Sequence, residues 1–166
     1  MCGAAADIDG ILDVCKKHNL VLMEDCGQAM GAFYNGKSVG LYGTAGAFSF
    51  DYFKIATCGE GGVCITDNQE TYNKMDQVAD HGHTHIGDNR GMEAHEFMGF
   101  NYRISELGAA IGLAQMRKVP QIVADNKKNK KYLKERPVSY THLTLPTNRV
   151  AGGGGGGAGE GGRGGG

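Results

Sequence analysis

Lys54 is the residue of this chain best placed for covalent chemistry. Phe50, Tyr52 and Phe53 precede it, Ile55 follows, and Gly59-Glu60-Gly61-Gly62 comes shortly after. Apolar neighbours would strip water from the amine and lower its pKa from the reference of about 10.4, freeing it to attack a carbonyl carbon. The glycines would let the backbone approach whatever binds there. Taken alone, such a lysine is usually a solvated surface residue. Asp25 and Ser49 shift the balance. Like Lys54, each stands at or just beyond the end of an apolar run, where α/β sheets gather their ligands. A lone aspartate there could equally cap a helix, so the combination carries the Schiff-base reading.

A second constellation competes with the first. His81-x-His83-x-His85, with His95 nearby, would place three imidazoles on one face if the segment were a strand. The alternative function is therefore a non-catalytic metal-binding module built on His81, His83 and His85. Yet Asp80 to Glu96 is rich in Gly and Asp, which reads as a loop lining a substrate entrance. Asp88, Glu93 and Glu96 add no defined ligand spacing. Gly59 to Gly62 lacks the GxxxxGK[ST] pattern of a phosphate-cradling loop.

The elements that must position these groups follow from periodicity. Asp7 is an N-cap, and Ile8, Ile11, Leu12 and Cys15 repeat at helical spacing up to Asn19. Leu20 to Met23 reads as a buried strand ending at Glu24-Asp25. Asn35-Gly36 marks a tight turn between Phe33-Tyr34 and Lys37-Ser38-Val39. Ala45 to Phe50 and Gly62 to Thr66 are further strands, and 68–79 is helical. Ser105 caps a helix whose Leu107, Ala110, Ile111 and Ala114 share one face. Pro120 opens a last helix, strongly basic from Lys127 to Lys134, with a solvated face. The order predicts an α/β fold with a mostly parallel sheet and flanking helices.

Composition narrows the function classes. With 17 basic and 18 acidic residues the formal charge is -1, which gives no reason to expect nucleic acid or an anionic membrane as partner. No apolar run approaches the ~20 residues of a membrane span, and no signal-peptide pattern is visible. Five scattered cysteines without a CxxC pair suit reduced, mostly buried thiols in a cytoplasmic protein. The chain divides at Arg136. Residues 1–136 read as a partial cofactor-binding large domain, with Met1 as an internal methionine. Residues 137–166 read as a foreign or disordered tail. Val138 to Thr147 resembles a translated sequencing adaptor, and 12 of the 29 glycines fall between Ala151 and Gly166. Every other residue from Arg149 onward lies one base from the glycine codon GGG, so the natural chain is expected to continue differently after Arg136.

Four segments, in order, carry a family resemblance. They are Glu24-Asp25-Cys26-Gly27-Gln28-Ala29, Phe48-Ser49-Phe50-Asp51-Tyr52-Phe53-Lys54, Gly59-Glu60-Gly61-Gly62, and Gly99-Phe100-Asn101-Tyr102-Arg103-Ile104-Ser105-Glu106-Leu107. Over nearly all of residues 1–136 the chain resembles the DegT/DnrJ/StrS family of sugar aminotransferases. These are fold-type-I enzymes that use pyridoxal 5'-phosphate. The resemblance implies a fragment of the large domain of that fold. Lys54 would hold the cofactor covalently and relay the proton, and Asp25 would pair with the pyridine nitrogen. Gln28 would lie beside the ring, and Ser49 would hydrogen-bond the phosphate. Asn101 would reach the phosphate of the neighbouring subunit, so a homodimer with shared active sites is implied. Tyr102 and Arg103 would brace the loop. Related dehydratases carry histidine where this chain has Lys54, so the lysine points to transamination. The implied reaction moves an amino group from an amino-acid donor, glutamate, to a keto-sugar for surface polysaccharide or a decorated metabolite. That sugar would be nucleotide-linked, or octulosonate-type as the His-rich loop suggests. The chain as it stands would be inactive alone, lacking the family's upstream phosphate-binding turn, ring-stacking aromatic and C-terminal domain.

Overall fold

The computed structural model describes residues 3–87, 89–93, 95 and 97–136. The expected tail at 137–166, and Met1, Cys2, Asp88 and Glu96, lie outside the described residues. Helix α1 spans Ile8–His18. Its N-terminus is closed by Asp7, whose Oδ1 accepts the Gly10 N–H at 3.2 Å. Its C-terminus is closed by Asn19 at φ 50, whose N–H turns back to Cys15 and Lys16.

The chain then builds a three-stranded sheet in the order β1-β4-β5. Strand β1 is Met23–Asp25, β4 is Ala45–Ser49 and β5 is Gly62–Ile65. Met23, Glu24 and Asp25 run parallel to Ala45, Gly46 and Ala47. On its other side β4 pairs antiparallel with β5, Gly46 opposite Ile65 and Ser49 opposite Gly62. The sheet is thus mixed where sequence predicts mostly parallel pairing. The reason is the connection between β4 and β5, residues 50–61, which forms turns and no crossover helix, so the chain folds straight back. Strands β2 (Phe33–Tyr34) and β3 (Lys37–Ser38) make a separate hairpin around Asn35-Gly36, both at positive φ as its tight turn requires.

The first strand begins later than its apolar run suggests. Leu20 and Val21 precede it and stand 57% and 74% exposed. Apolar character alone does not make a strand without a partner to complete the ladder. Two glycines set how closely the neighbouring segment approaches. A Cβ on Gly43 would fall 2.5 Å from the Leu22 carbonyl oxygen, and one on Gly46 would fall 2.3 Å from Gly40 Cα. Neither site has room for a side chain.

Helices α2 (Gln69–Ala79), α3 (Glu106–Met116) and α4 (Val119–Glu135) complete the fold. Asn68 and Ser105 cap the first two through Thr71 N–H and Gly108 N–H. The packed face of α3 differs from the expected one. Gly112 is its buried residue, with Gly108 and Ala109 half-buried, while Leu107 and Ile111 are exposed. This face lies beside the segment after β4, where a Cβ on Gly112 would make ordinary contact with Cys58 Cβ at 3.8 Å. Two small cores result. Ile8, Cys26 and Val39 gather under α1, and Phe50, Ala56 and Val119 join the post-β4 turn to α4. Of the described cysteines only Cys26 is buried, contrary to the expectation of mostly buried thiols, and all four are free. No described helix is long and apolar enough to cross a membrane.

Candidate active site

Parallel pairing of β1 and β4 brings the carboxyl ends of both strands to one edge. Asp25 lies opposite Ala47, and the Cys26 N–H continues the ladder to the Ala47 carbonyl at 2.8 Å. The chain then turns sharply, with Asp25 Oδ1 accepting the Gly27 N–H at 3.0 Å. A Cβ on Gly27 would stand 3.1 Å from Asp25 Oδ1 and 3.7 Å from Ser49 Cβ. Asp25 and Ser49 therefore flank a residue that has no side chain, which leaves a small cradle between a carboxylate and a hydroxyl. Ser49 Oγ is held from the other side by the Asp51 N–H at 3.2 Å. Gln28 follows on the same turn and, with Asp25, borders an apolar cleft of about 240 Å³ lined by Ile8, Leu22 and Val39.

Lys54 sits on the adjacent β4–β5 connection. The base of this loop is closed by Phe50 N–H to the Gly61 carbonyl at 2.8 Å and Cys58 N–H to the Phe50 carbonyl at 2.9 Å. The Lys54 N–H donates to the Asp51 carbonyl at 2.9 Å, so the backbone of the lysine is fixed within a turn. The expected apolar enclosure is not there. Tyr52 and Phe53 stack on each other at 4.0 Å between ring centroids, yet they are 62% and 79% exposed, and Lys54 is half-buried. Of the flanking aromatics only Phe50 turns into the core. The backbone explains this: Phe50 continues from β4 and pairs with Gly61, whereas Tyr52 and Phe53 sit in the turn that follows, outside the ladder.

Asn101 belongs to another neighbourhood. It bridges Asp80 at the end of α2, where the Phe100 N–H reaches the Val78 carbonyl and the Tyr102 N–H reaches the Ala79 carbonyl. The structure thus brings Asp25, Gln28 and Ser49 to one strand-end site with Lys54 on the next loop, and places Asn101 elsewhere.

The histidines do not converge as alternation would have it. His81 and His85 both adopt left-handed backbone, at φ 57 and φ 56, so the segment is not extended and the alternation of a strand is broken. Asp80, which is buried, is the hub. Its Oδ1 accepts Arg103 Nη1 and lies 3.2 Å from His81 Nδ1. Its Oδ2 lies 2.9 Å from His85 Nε2, while His85 Nδ1 is 2.8 Å from Asp76 Oδ2. His83 Nδ1 is 3.4 Å from Glu93 Oε2 but not aligned for a hydrogen bond. The ligand atoms that do cluster, within 4.8 Å, belong to Asp80, His81 and His83. Arg103 Nη1 stands among them, 3.2 Å from His81 Nδ1. A metal ion there would have to displace or repel that guanidinium.

His85 carries a pH prediction. Both ring nitrogens face carboxylates, and only the imidazolium has an N–H for each. The hydrogen bond to Asp80 raises its pKa above the ordinary value, burial opposes this, and Asp76 adds to the rise. A raised folded-state pKa means stabilisation that is complete below about pH 6.5 and lost as pH rises through the folded value. The thermal midpoint of the parent should fall over that window relative to His85→Asn. Parallel curves would refute the bridge.

Sequence spacing singles out no role for Asp76, Asp80 or Glu24. The Glu24 carboxylate accepts three backbone N–H groups, from Gly40 at 2.6 Å, Tyr42 at 2.6 Å and Gly43 at 2.7 Å. Its only signal in the sequence is the glycine-rich turn sixteen residues later.

A model of the DegT/DnrJ/EryC1/StrS aminotransferase family matches residues 1–149, past the boundary expected at Arg136. GDP-perosamine synthase of Vibrio cholerae is 37% identical over 126 residues, covering 73% of this chain and 32% of that protein. An aminotransferase from Psychrobacter cryohalolentis superposes with a TM-score of 0.67 at 39% identity, covering 73% of this chain and 32% of that one. The E. coli GDP-4-keto-6-deoxy-D-mannose-3-dehydratase, solved with bound hydrated PLP, superposes with a TM-score of 0.72 at 29% identity, covering 82% and 40%. The chain spans about a third of the length of the curated relatives it matches. The family match runs through every described residue and includes both strand ends of the site. This chain belongs to the DegT/DnrJ/EryC1/StrS aminotransferase family.

Proposed function

We propose that this chain is the cofactor-binding part of an aminotransferase that uses pyridoxal 5'-phosphate. The reaction transfers an amino group from an amino-acid donor, glutamate, to a keto-sugar, nucleotide-linked or octulosonate-type, for surface polysaccharide. The observation that carries this reading is the cradle at Gly27, with the Asp25 carboxylate and Ser49 hydroxyl on its flanks and Lys54 on the next loop. The donor set fits the cofactor: a carboxylate for a cationic ring nitrogen, a hydroxyl for a phosphate, an amine for an aldehyde. When bound, pyridoxal phosphate supplies an electron sink for the carbon that loses its proton.

The chain's own residues would do the rest. Asp25 would hold a proton on the pyridine nitrogen, its Oδ1 already oriented by the Gly27 N–H. Ser49 Oγ, accepting from the Asp51 N–H, keeps its own hydroxyl hydrogen to donate to a phosphate oxygen. Gln28 would line the ring edge from the turn after β1. Lys54 Nζ would anchor the aldehyde carbon and then move the proton to and from the substrate carbon. Asn101, fixed beside α2 and away from these groups, suits a residue that serves the partner's site in a homodimer working in the cytoplasm.

The test is a full-length enzyme carrying this sequence, given pyridoxal phosphate, glutamate and either a nucleotide-linked keto-sugar or an octulosonate ketone. Amino-sugar and 2-oxoglutarate should appear in equal amounts with one of them. Failure with both, in protein shown to bind the cofactor, would refute the substrate class. The metal-binding alternative is less well served by the geometry, because Arg103 already supplies the cation at Asp80.

A further inference from the structure

We infer that Glu24 is a positioning residue for the reaction, acting through Asp25; the inference rests on the proposed role of Asp25. Glu24 Oε2 accepts the Gly40 N–H at 2.6 Å, and Oε1 accepts those of Tyr42 and Gly43 at 2.6 and 2.7 Å. Gly40, at φ 89, bends the turn so that its amides point inward. This is a backbone nest for an anion, and the chain fills it with its own carboxylate. Charge-assisted bonds of this kind are stronger than neutral ones, and the carboxylate is half-buried.

The nest has a geometric consequence. It presses the 40–43 turn flat onto β1, where the Thr44 N–H meets the Leu22 carbonyl at 2.8 Å and Gly43 and Gly46 leave no clearance. That contact fixes where β4 begins, hence the register that sets Ala45 beside Met23 and Ala47 beside Asp25. Successive side chains of a strand point to opposite faces. Glu24 therefore locks β1 from one face while Asp25 is presented on the other. A twist of β1 that breaks the nest swings the Asp25 carboxylate and opens its spacing to Ser49 across Gly27.

The test uses a full-length enzyme carrying this sequence, reconstituted with pyridoxal phosphate labelled at the ring nitrogen, and reads that nitrogen by NMR. Glu24→Gln keeps the shape but turns an NH2 group toward backbone donors. In folded Glu24→Gln the labelled nitrogen should lose its proton at a pH where the parent keeps it, with cofactor affinity about tenfold weaker, a modest share of what such unsatisfied donors can cost. In Glu24→Ala, added formate should occupy the nest and restore both readings. A role in stability alone would lower the thermal midpoint without moving the nitrogen signal, and that result overturns the inference. So does failure of both variants to fold even with formate, which would make Glu24 a folding determinant. A parent that binds no cofactor would sink the functional reading and this inference together. A parent that binds it, beside variants whose nitrogen stays protonated, would sink this inference alone.

Discussion

Lys54→Ala in a full-length enzyme carrying this sequence is expected to lower amino transfer by about a thousandfold or more. In the proposed role of Lys54 the substitution removes both the covalent anchor and a proton carrier, and a positioned acid–base group alone contributes about 10²–10⁴. The fold should not register the change. The loop around Lys54 is closed by the Phe50–Gly61 and Cys58–Phe50 backbone bonds, and the lysine's own contribution to the turn is its N–H to the Asp51 carbonyl. Alanine keeps that N–H, so stability should move by no more than about 0.5 kcal/mol, as for most surface substitutions. Three measurements decide it: the visible absorbance of the cofactor after dialysis, the mass of the borohydride-reduced protein, and the thermal midpoint. The parent should retain the absorbance and gain the mass of one cofactor less a water plus two hydrogens, and the variant should do neither. A variant that keeps the cofactor through dialysis and reduction would show that another amine holds it.

Asp25→Asn should be the second most damaging change. A unit charge pair at 4 Å is worth about 4 kcal/mol at an effective dielectric of 20, before solvent takes its share. Asp25 is exposed at the end of β1, so about 2 kcal/mol of that should survive, which corresponds to roughly thirtyfold in rate. Asparagine retains an oxygen for the Gly27 N–H, and the turn after β1 should hold. The loss should appear in kcat, with little change in KM for the keto-sugar, because a weakened grip on the ring proton matters most when charge flows into the ring. An Asp25→Asn enzyme with parental kcat would remove Asp25 from the mechanism.

Much of this site can be read from residue order, and the unread part has identifiable causes. Asp7 and Ser105 announce their helices because capping is local chemistry, decided within four residues. Asp25 and Ser49 are legible because both follow apolar runs that end at the same sheet edge. What hides is partnership across the chain. Nothing near Gly62 says that β5 will run antiparallel to β4; that depends on how residues 50–61 fold back. The packing face of α3 is hidden for a similar reason. Leu107 and Ile111 mark the greasier side, yet the residue the helix buries is Gly112, beside Cys58 from a distant part of the chain. The three histidines mislead through backbone sign, since left-handed turns at His81 and His85 break the alternation that a ligand triad would need. Asp80 goes unnoticed because its partners, His85 and Arg103, lie five and twenty-three residues away.

The connection from β4 to β5 leaves and returns through neighbouring ladder positions, with Ser49 opposite Gly62 at its mouth. It is a closed bight of chain carrying Lys54, tied off at its neck by backbone bonds that use no side chain. Its solvent-facing residues, such as the stacked Tyr52 and Phe53, can be exchanged without disturbing the strands that hold Asp25 and Ser49, while Phe50 and Ala56 stay anchored in the core. Descendants of one ancestor can therefore alter Lys54, or the aromatic rim around it, while inheriting the sheet edge intact. The fold separates what must be kept from what can be tried, and chemistry can diverge at Lys54 faster than the scaffold beneath it.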